Sequence, residues 1–262
     1  MNIIKRELRS NLKSLLIWIG SIALIVFGAS AEFKAFVDNQ AMIEAMENFQ
    51  YMFDALGVSL TNITTPEGFL SVMSLYLYLP LSIFAALLGS SIISKEERDK
   101  TAEYLFTLPV TRTRVLISKI IAAVINNLLF TIAVVIIAIG AFYRFEPTST
   151  FYEFVGFLSI GLFLTQMIFM SIGMMLASIL KQYKKSGSFT LGVLLGTFML
   201  SILIGLSDKI EFLKYITPFQ YFKVEDMLAS KIDLLFLFLS IIIITSCISS
   251  VFVFFKKRDL YI

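Results

Sequence analysis

VLISKIIAAVINNLLFTIAVVIIAIGAF, residues 115–142, runs for 28 residues with Lys119 as its one charged side chain. As a helix it would extend about 42 Å, more than the roughly 30 Å of a bilayer's hydrocarbon core. No soluble domain has enough polar surface elsewhere to hide several such runs. Five more stretches read the same way: Leu15–Ala31, Phe69–Ser94, Phe154–Leu180, Ser188–Ser207 and Leu234–Phe255. The whole chain agrees, because 58% of its 262 residues are hydrophobic and 16% charged, against about 45–50% and 25% in soluble proteins. The expected fold is all-α, a polytopic membrane protein of six transmembrane helices forming a single domain over residues 1–262. The first run lacks a small-residue cleavage pattern before Glu32 and Phe33 and so reads as a span, not a cleaved leader.

Orientation follows from the connections. Sixteen of the 22 basic residues fall on one side of this six-span layout: four before the first span, six from Lys95 to Lys119, three from Lys181 to Lys185 and three from Lys256 to Arg258. Lysine and arginine beside a span favour the cytoplasm, so both termini are expected there. The opposite side carries most of the acids, among them Glu32, Asp38, Glu67, Glu146 and Asp233.

The connections carry further signals. In residues 1–14, Ile3, Ile4, Leu8 and Leu12 share one helical stripe, and Lys5, Arg6, Arg9 and Lys13 lie off it. That is a basic amphipathic helix suited to the inner interface, or a plain positive anchor for the first span. Ser94-Lys-Glu-Glu97 matches a capping box, so a short cytoplasmic helix is expected over 95–108. It starts charged, ends apolar through Tyr104, Leu105, Phe106 and Leu108, and stops at Pro109. Thr111 or Thr113 would cap the next span. An apolar cluster in a water-facing helix favours a docking surface.

On the other side, residues 32–68 repeat Met42, Ile43, Met46, Phe49 and Phe53 at helical spacing, which suggests amphipathic helices. Within 208–233, Thr217-Pro-Phe-Gln-Tyr-Phe222 sets a proline beside three aromatics, as in a re-entrant or interfacial turn. Asn62-Ile-Thr64 matches a glycosylation sequon, a tripeptide common by chance. Gly192 and Gly196 form a small-xxx-small face, read as ordinary helix packing, and Cys247 as a small buried hydrophobe.

Several chemistries drop out. Without histidine and with one cysteine, the chain cannot build a Ser-His-Asp or Cys-His pair, a histidine-bearing zinc site or an internal disulfide. It has no P-loop motif, so it cannot cradle ATP phosphates by that route. Glu96-Glu97 alone does not make an intramembrane protease, since the accompanying arginine and histidines are missing. No catalytic, cofactor-binding or metal-ligating residue is expected. The span cores offer Asn126, Asn127, Gln166, Ser and Thr but no acid or base, which disfavours an ion-coupled carrier.

The stretch Ser94–Lys119, SKEERDKTAEYLFTLPVTRTRVLISK, resembles the cytoplasmic segment that follows the second span in ABC-2 type permeases, and Thr217–Phe222 resembles a motif before the last span in one bacterial subgroup. The family segment often has glycine where Asp99-Lys100 stands here. The resemblance implies a membrane subunit of a bacterial ABC exporter, in the cytoplasmic membrane. It further implies a dimer with a second permease copy, docked to two copies of a separate ATP-binding subunit that holds ATP and Mg. Residues 95–108 would be the coupling helix. Glu96, Glu97, Thr101, Glu103, Leu105, Pro109 and Arg112 would form the docking region, flanked by Lys5, Arg6, Arg9 and Lys13. Membrane lipid is an expected partner and nucleic acid is not. The cargo would be an amphipathic or lipophilic compound, peptide or drug, although 26 phenylalanines serve lipid contact equally well. The alternatives are a membrane sensor for an envelope ligand and an ion-coupled secondary transporter.

Overall fold

The computed structural model describes residues 2–40, 44, 48, 63–98, 111–180 and 183–257. Among them the elements are helical: α1 Asn2–Val37, α2 Pro66–Arg98, α3 Arg112–Phe142, α4 Ser149–Ile179, α5 Tyr183–Leu206, the short α6 Val224–Leu228 and α7 Leu234–Lys257. Six of these are long and apolar enough to cross a membrane, and they coincide with the six runs read from the sequence.

Local chemistry accounts for the helix starts. Pro66 opens α2, where a missing N–H costs nothing, and the Thr65 hydroxyl accepts from the Gly68 N–H at 3.2 Å. Thr111, the first of the two expected caps, accepts from the Arg114 N–H at 3.3 Å and starts α3.

Three expectations need correction. Residues 2–14 do not form a separate interfacial helix; they are the first turns of α1, which is continuous to Val37. The change from amphipathic to uniformly apolar sequence alters what the helix faces, and no proline interrupts its hydrogen bonding there. Ser94 does not cap a new helix. Nothing between Gly89 and Arg98 breaks α2, so residues 94–98 are its last turn, and the Ser94 hydroxyl turns back to donate to the Ser90 carbonyl at 2.8 Å. Gly192 and Gly196 do not pack against a neighbouring helix of the chain, since a Cβ at either would meet no atom within 4 Å.

The centre of the bundle is the α2–α4 seam. The Gly89 position lies so close to α4 that a Cβ would sit 2.2 Å from the Met170 carbonyl oxygen, and at Gly173 one would sit 2.5 Å from that of Ala86. Lipid is as apolar as leucine, so helices in a bilayer associate through close packing of small residues, as here. At the end that carries the acids, Phe33, Phe69, Phe142, Phe145 and Phe151 form a ring cluster. Phe33 lies 5.1 Å from Phe69 and 4.8 Å from Phe145, edge to face, and Arg144 donates to the Ser30 carbonyl at 2.5 Å while lying over Phe145.

The 217–222 turn folds inward, as its proline and aromatics suggest. Thr217, Pro218, Gln220, Tyr221 and Phe222 are buried. Phe219 packs between Phe169 and Phe198 at 5.1 and 5.3 Å, and Tyr221 stacks on Phe236 at 5.1 Å. Cys247 is buried in α7, in keeping with its reading as a small hydrophobe. Residues 41–43, 45–47 and 49–62 of the acidic connection, which hold Asn62 and the apolar repeat Met42, Ile43, Met46, Phe49 and Phe53, lie outside the described residues.

Candidate functional site

At the basic end, α1, α2 and α3 converge on five charged side chains. Lys119, about two turns inside α3, is completely buried. Its Nζ donates to Glu96 Oε2 at 2.5 Å and to the Ile92 carbonyl, both on α2. The other Glu96 oxygen accepts from Arg6 Nη2 of α1 at 3.3 Å. Arg6 also meets Glu7 Oε1 at 3.1 Å, and Lys95 donates to Glu7 Oε2 at 3.1 Å and to the Ser10 hydroxyl at 2.8 Å. Three cations and two carboxylates thus close a chain of contacts through all three helices.

The arrangement follows from helical spacing. Ile92, Lys95 and Glu96 occupy one turn of α2, so the carbonyl and carboxylate that receive Lys119 lie one above the other, while Lys95 reaches across to α1. Glu7 and Ser10 are one turn apart on α1 and face Lys95 together. Burial makes these ties consequential. A paired buried charge is nearly neutral in net stability, yet removing one partner costs about 3–5 kcal/mol because the other is left without compensation. The network therefore fixes the geometry of the last turn of α2, the root from which residues 99–110 depart.

The expected docking residues separate into groups. Glu96 does not point outward; it is buried within the network, because Lys119 and Arg6 offer it partners that a surface position would lack. Glu97 is half-buried, and Arg112 is exposed at the start of α3. Thr101, Glu103, Leu105 and Pro109 lie outside the described residues. Of the four basic residues in the first 14 positions, all are exposed, and Arg6 alone reaches across to the Glu7 and Glu96 carboxylates. Sequence reading passed over Glu7, Lys95 and Lys119 as members of one site. The signals were there: Glu7 is the lone acid among four bases in residues 1–14, and Lys119 is the lone charge in its span.

The comparison with known families bears on this geometry. A family model described as "ABC-2 family transporter protein" matches residues 1–260. The chain belongs to the ABC-2 transporter family. No curated protein matches it in sequence. As an ABC-2 chain with six apolar helices it is a multi-pass membrane protein and a transmembrane subunit of a transporter, with the family implying an ATP-binding partner. In this ABC-2 chain the ionic network sits beside the stretch that carried the resemblance, Ser94–Lys119, and includes three of its residues: Lys95, Glu96 and Lys119.

Proposed function

We propose that the chain is the permease of an ATP-driven exporter in a bacterial cytoplasmic membrane, with both termini cytoplasmic, acting with a second permease copy and two copies of a separate ATPase. The ATPase docks on the end of α2, the segment after it and the start of α3, through Glu97, Thr101, Glu103, Leu105, Pro109 and Arg112, with Lys5, Arg9 and Lys13 flanking the contact. ATP and Mg belong to the partner. The observation that carries this reading is the buried Lys119–Glu96–Arg6 tie: it makes the last turn of α2 a rigid root, shared with α1 and α3, for the segment on which an ATPase would push. Closure of the ATPase pair displaces that root, and the three helices fixed to it move together. Glu96 and Lys119 are then positioning residues, and the contact itself falls to Glu97 and the residues after it. The cargo is an amphipathic or lipophilic molecule, a reading supported by the lack of charge in the middle of the described spans.

The test is co-purification with an ATPase encoded nearby, followed by ATP hydrolysis in reconstituted vesicles. Reversing charge at Glu97 and Glu103 together is expected to lower ATPase recovery at least about tenfold, the equivalent of roughly 1.4 kcal/mol, with unfolding temperature unchanged. Unaltered recovery and hydrolysis in that variant would refute docking at this segment.

A further inference from the structure

At the basic end a cavity of about 220 Å³ lies against α2, between α1 and the start of α5, room for at least about seven waters at roughly 30 Å³ each. Its lining changes character with depth. On α2 it passes from Arg98, Ser94 and Ser91 to Leu87 and Phe84, and on α1 from Ser14 to Trp18, whose ring meets that of Phe84 edge to face at 6.2 Å. Phe84 to Arg98 covers about 21 Å of helix, the depth of one leaflet with its headgroups. The cavity also opens sideways: Leu87, Ser91 and Trp18 are half-buried and Ser14 and Arg98 exposed, and α1 and α5 share no seam with each other among the described residues.

The polar half is sorted by hydrogen-bonding role. Ser94 and Ser91 already donate within α2, to the Ser90 and Leu88 carbonyls at 2.8 and 3.2 Å, so toward the cavity their oxygens act as acceptors. The Arg98 guanidinium and the Ser14 hydroxyl supply donors. Among the described residues no carboxylate lines the space, and Glu7 and Glu96, the buried carboxylates of this end, are compensated by Arg6, Lys95 and Lys119. A ligand that satisfies such a lining has an anionic group for Arg98, hydroxyls for the serine oxygens and an apolar body that can leave through the open side. Membrane phospholipids with a hydroxyl-bearing anionic head have all three.

We propose that this cavity holds the head of an anionic phospholipid of the phosphatidylglycerol class, drawn from the leaflet at the basic end. The phosphate lies against Arg98 and Ser14, and the head hydroxyls donate to Ser91 and Ser94. Only the phosphate, head and glycerol occupy the cavity. The acyl chains pass Trp18, Phe84 and Leu87 and continue in the surrounding bilayer, so the lipid's length sets no limit. The site is independent of the permease reading and of any ATPase.

Trp18 is the chain's single tryptophan, so its fluorescence reports on this site. The probe is phosphatidylglycerol with brominated acyl chains, which quench a tryptophan they touch, diluted into phosphatidylcholine nanodiscs that hold the full-length protein. Quenching is expected to half-saturate at a mole fraction at least about tenfold lower than with brominated phosphatidylcholine, a preference near 1.4 kcal/mol. Arg98→Gln should erase that preference, because the choline lipid carries the same chains and lacks only the net negative charge and the hydroxyls. Ser91→Phe, which fills the cavity, should erase it as well. Lys34→Gln, at the far end of α1, should leave it intact. Equal quenching by the two lipids, or a preference that survives Arg98→Gln, overturns the site. Relief of quenching by millimolar inorganic phosphate overturns the lipid as occupant and makes the cavity a site for free anions. Loss of the lipid preference with the ATPase still co-purifying refutes the lipid site alone, and the reverse result refutes the permease reading alone.

Discussion

The same three helices are joined in opposite ways at the two ends of the bundle. At the basic end α1, α2 and α3 meet through Arg6, Glu7, Lys95, Glu96 and Lys119; at the acidic end they meet through Phe33, Phe69 and Phe142, joined by Phe145 and by Phe151 of α4. Ring clusters have many nearly equivalent packings, each pair contributing about 0.5–1.5 kcal/mol, so they accept small rotations without a threshold. Buried ion pairs are directional, and a misplaced charge in low dielectric is costly. On the proposed function, the aromatic end is the pivot and the ionic end is the rigid root through which the ATPase moves the three helices together.

The strongest way to break this contrast is Lys119→Met. It leaves Glu96 buried beside Arg6 alone and should cost about 3–5 kcal/mol in thermal or denaturant unfolding of the purified protein, whereas Lys119→Met with Glu96→Met should recover most of that loss. Phe33→Ala comes next. It removes three edge-to-face partners, for an expected cost of about 2 kcal/mol, yet it should leave ATPase stimulation per folded molecule unchanged, which the Lys119 variant should not. Between the ends, Gly89→Ala drives a methyl against the Met170 backbone and should destabilise by about 1–3 kcal/mol through separation of α2 from α4; Gly192→Ala, with nothing nearby, is the matched control.

The smallest effect is at the acidic end. Burial pushes the Tyr221 phenol up from its usual value near 10 to about 12. The raised value means the folded state favours the neutral phenol. Its contribution is fully present below about pH 10 and is lost as pH rises toward 12. Absorbance titration should therefore find a late phenolate near pH 12 that is missing in Tyr221→Phe.

The membrane-spanning layout was legible because it depends on length and apolarity alone, and the Thr111 cap and the inward 217–222 turn because proline and hydroxyl chemistry act locally. Where partners come from distant positions, local reading failed. Ser94-Lys-Glu-Glu97 has the composition of a helix start, but an unbroken helix upstream had already engaged those residues, and Glu96 took its direction from Lys119 and Arg6, 23 and 90 positions away. Lys119 itself was counted with the basic residues at the membrane edge because charge near a span end normally stays wet. The Glu96 carboxylate and the Ile92 carbonyl that receive its ammonium make burial tolerable. The close approach at Gly89 was invisible for the same reason, since a glycine in an apolar run reveals nothing of what lies across from it.

The most direct test of the central claim is ATP hydrolysis by the reconstituted permease–ATPase complex carrying Lys119→Met with Glu96→Met, in which the buried charges are replaced by neutral side chains of similar length. The account predicts a stable permease that still recovers its ATPase but stimulates hydrolysis at least about tenfold less, a coupling loss near 1.4 kcal/mol. Wild-type stimulation in that variant would contradict it.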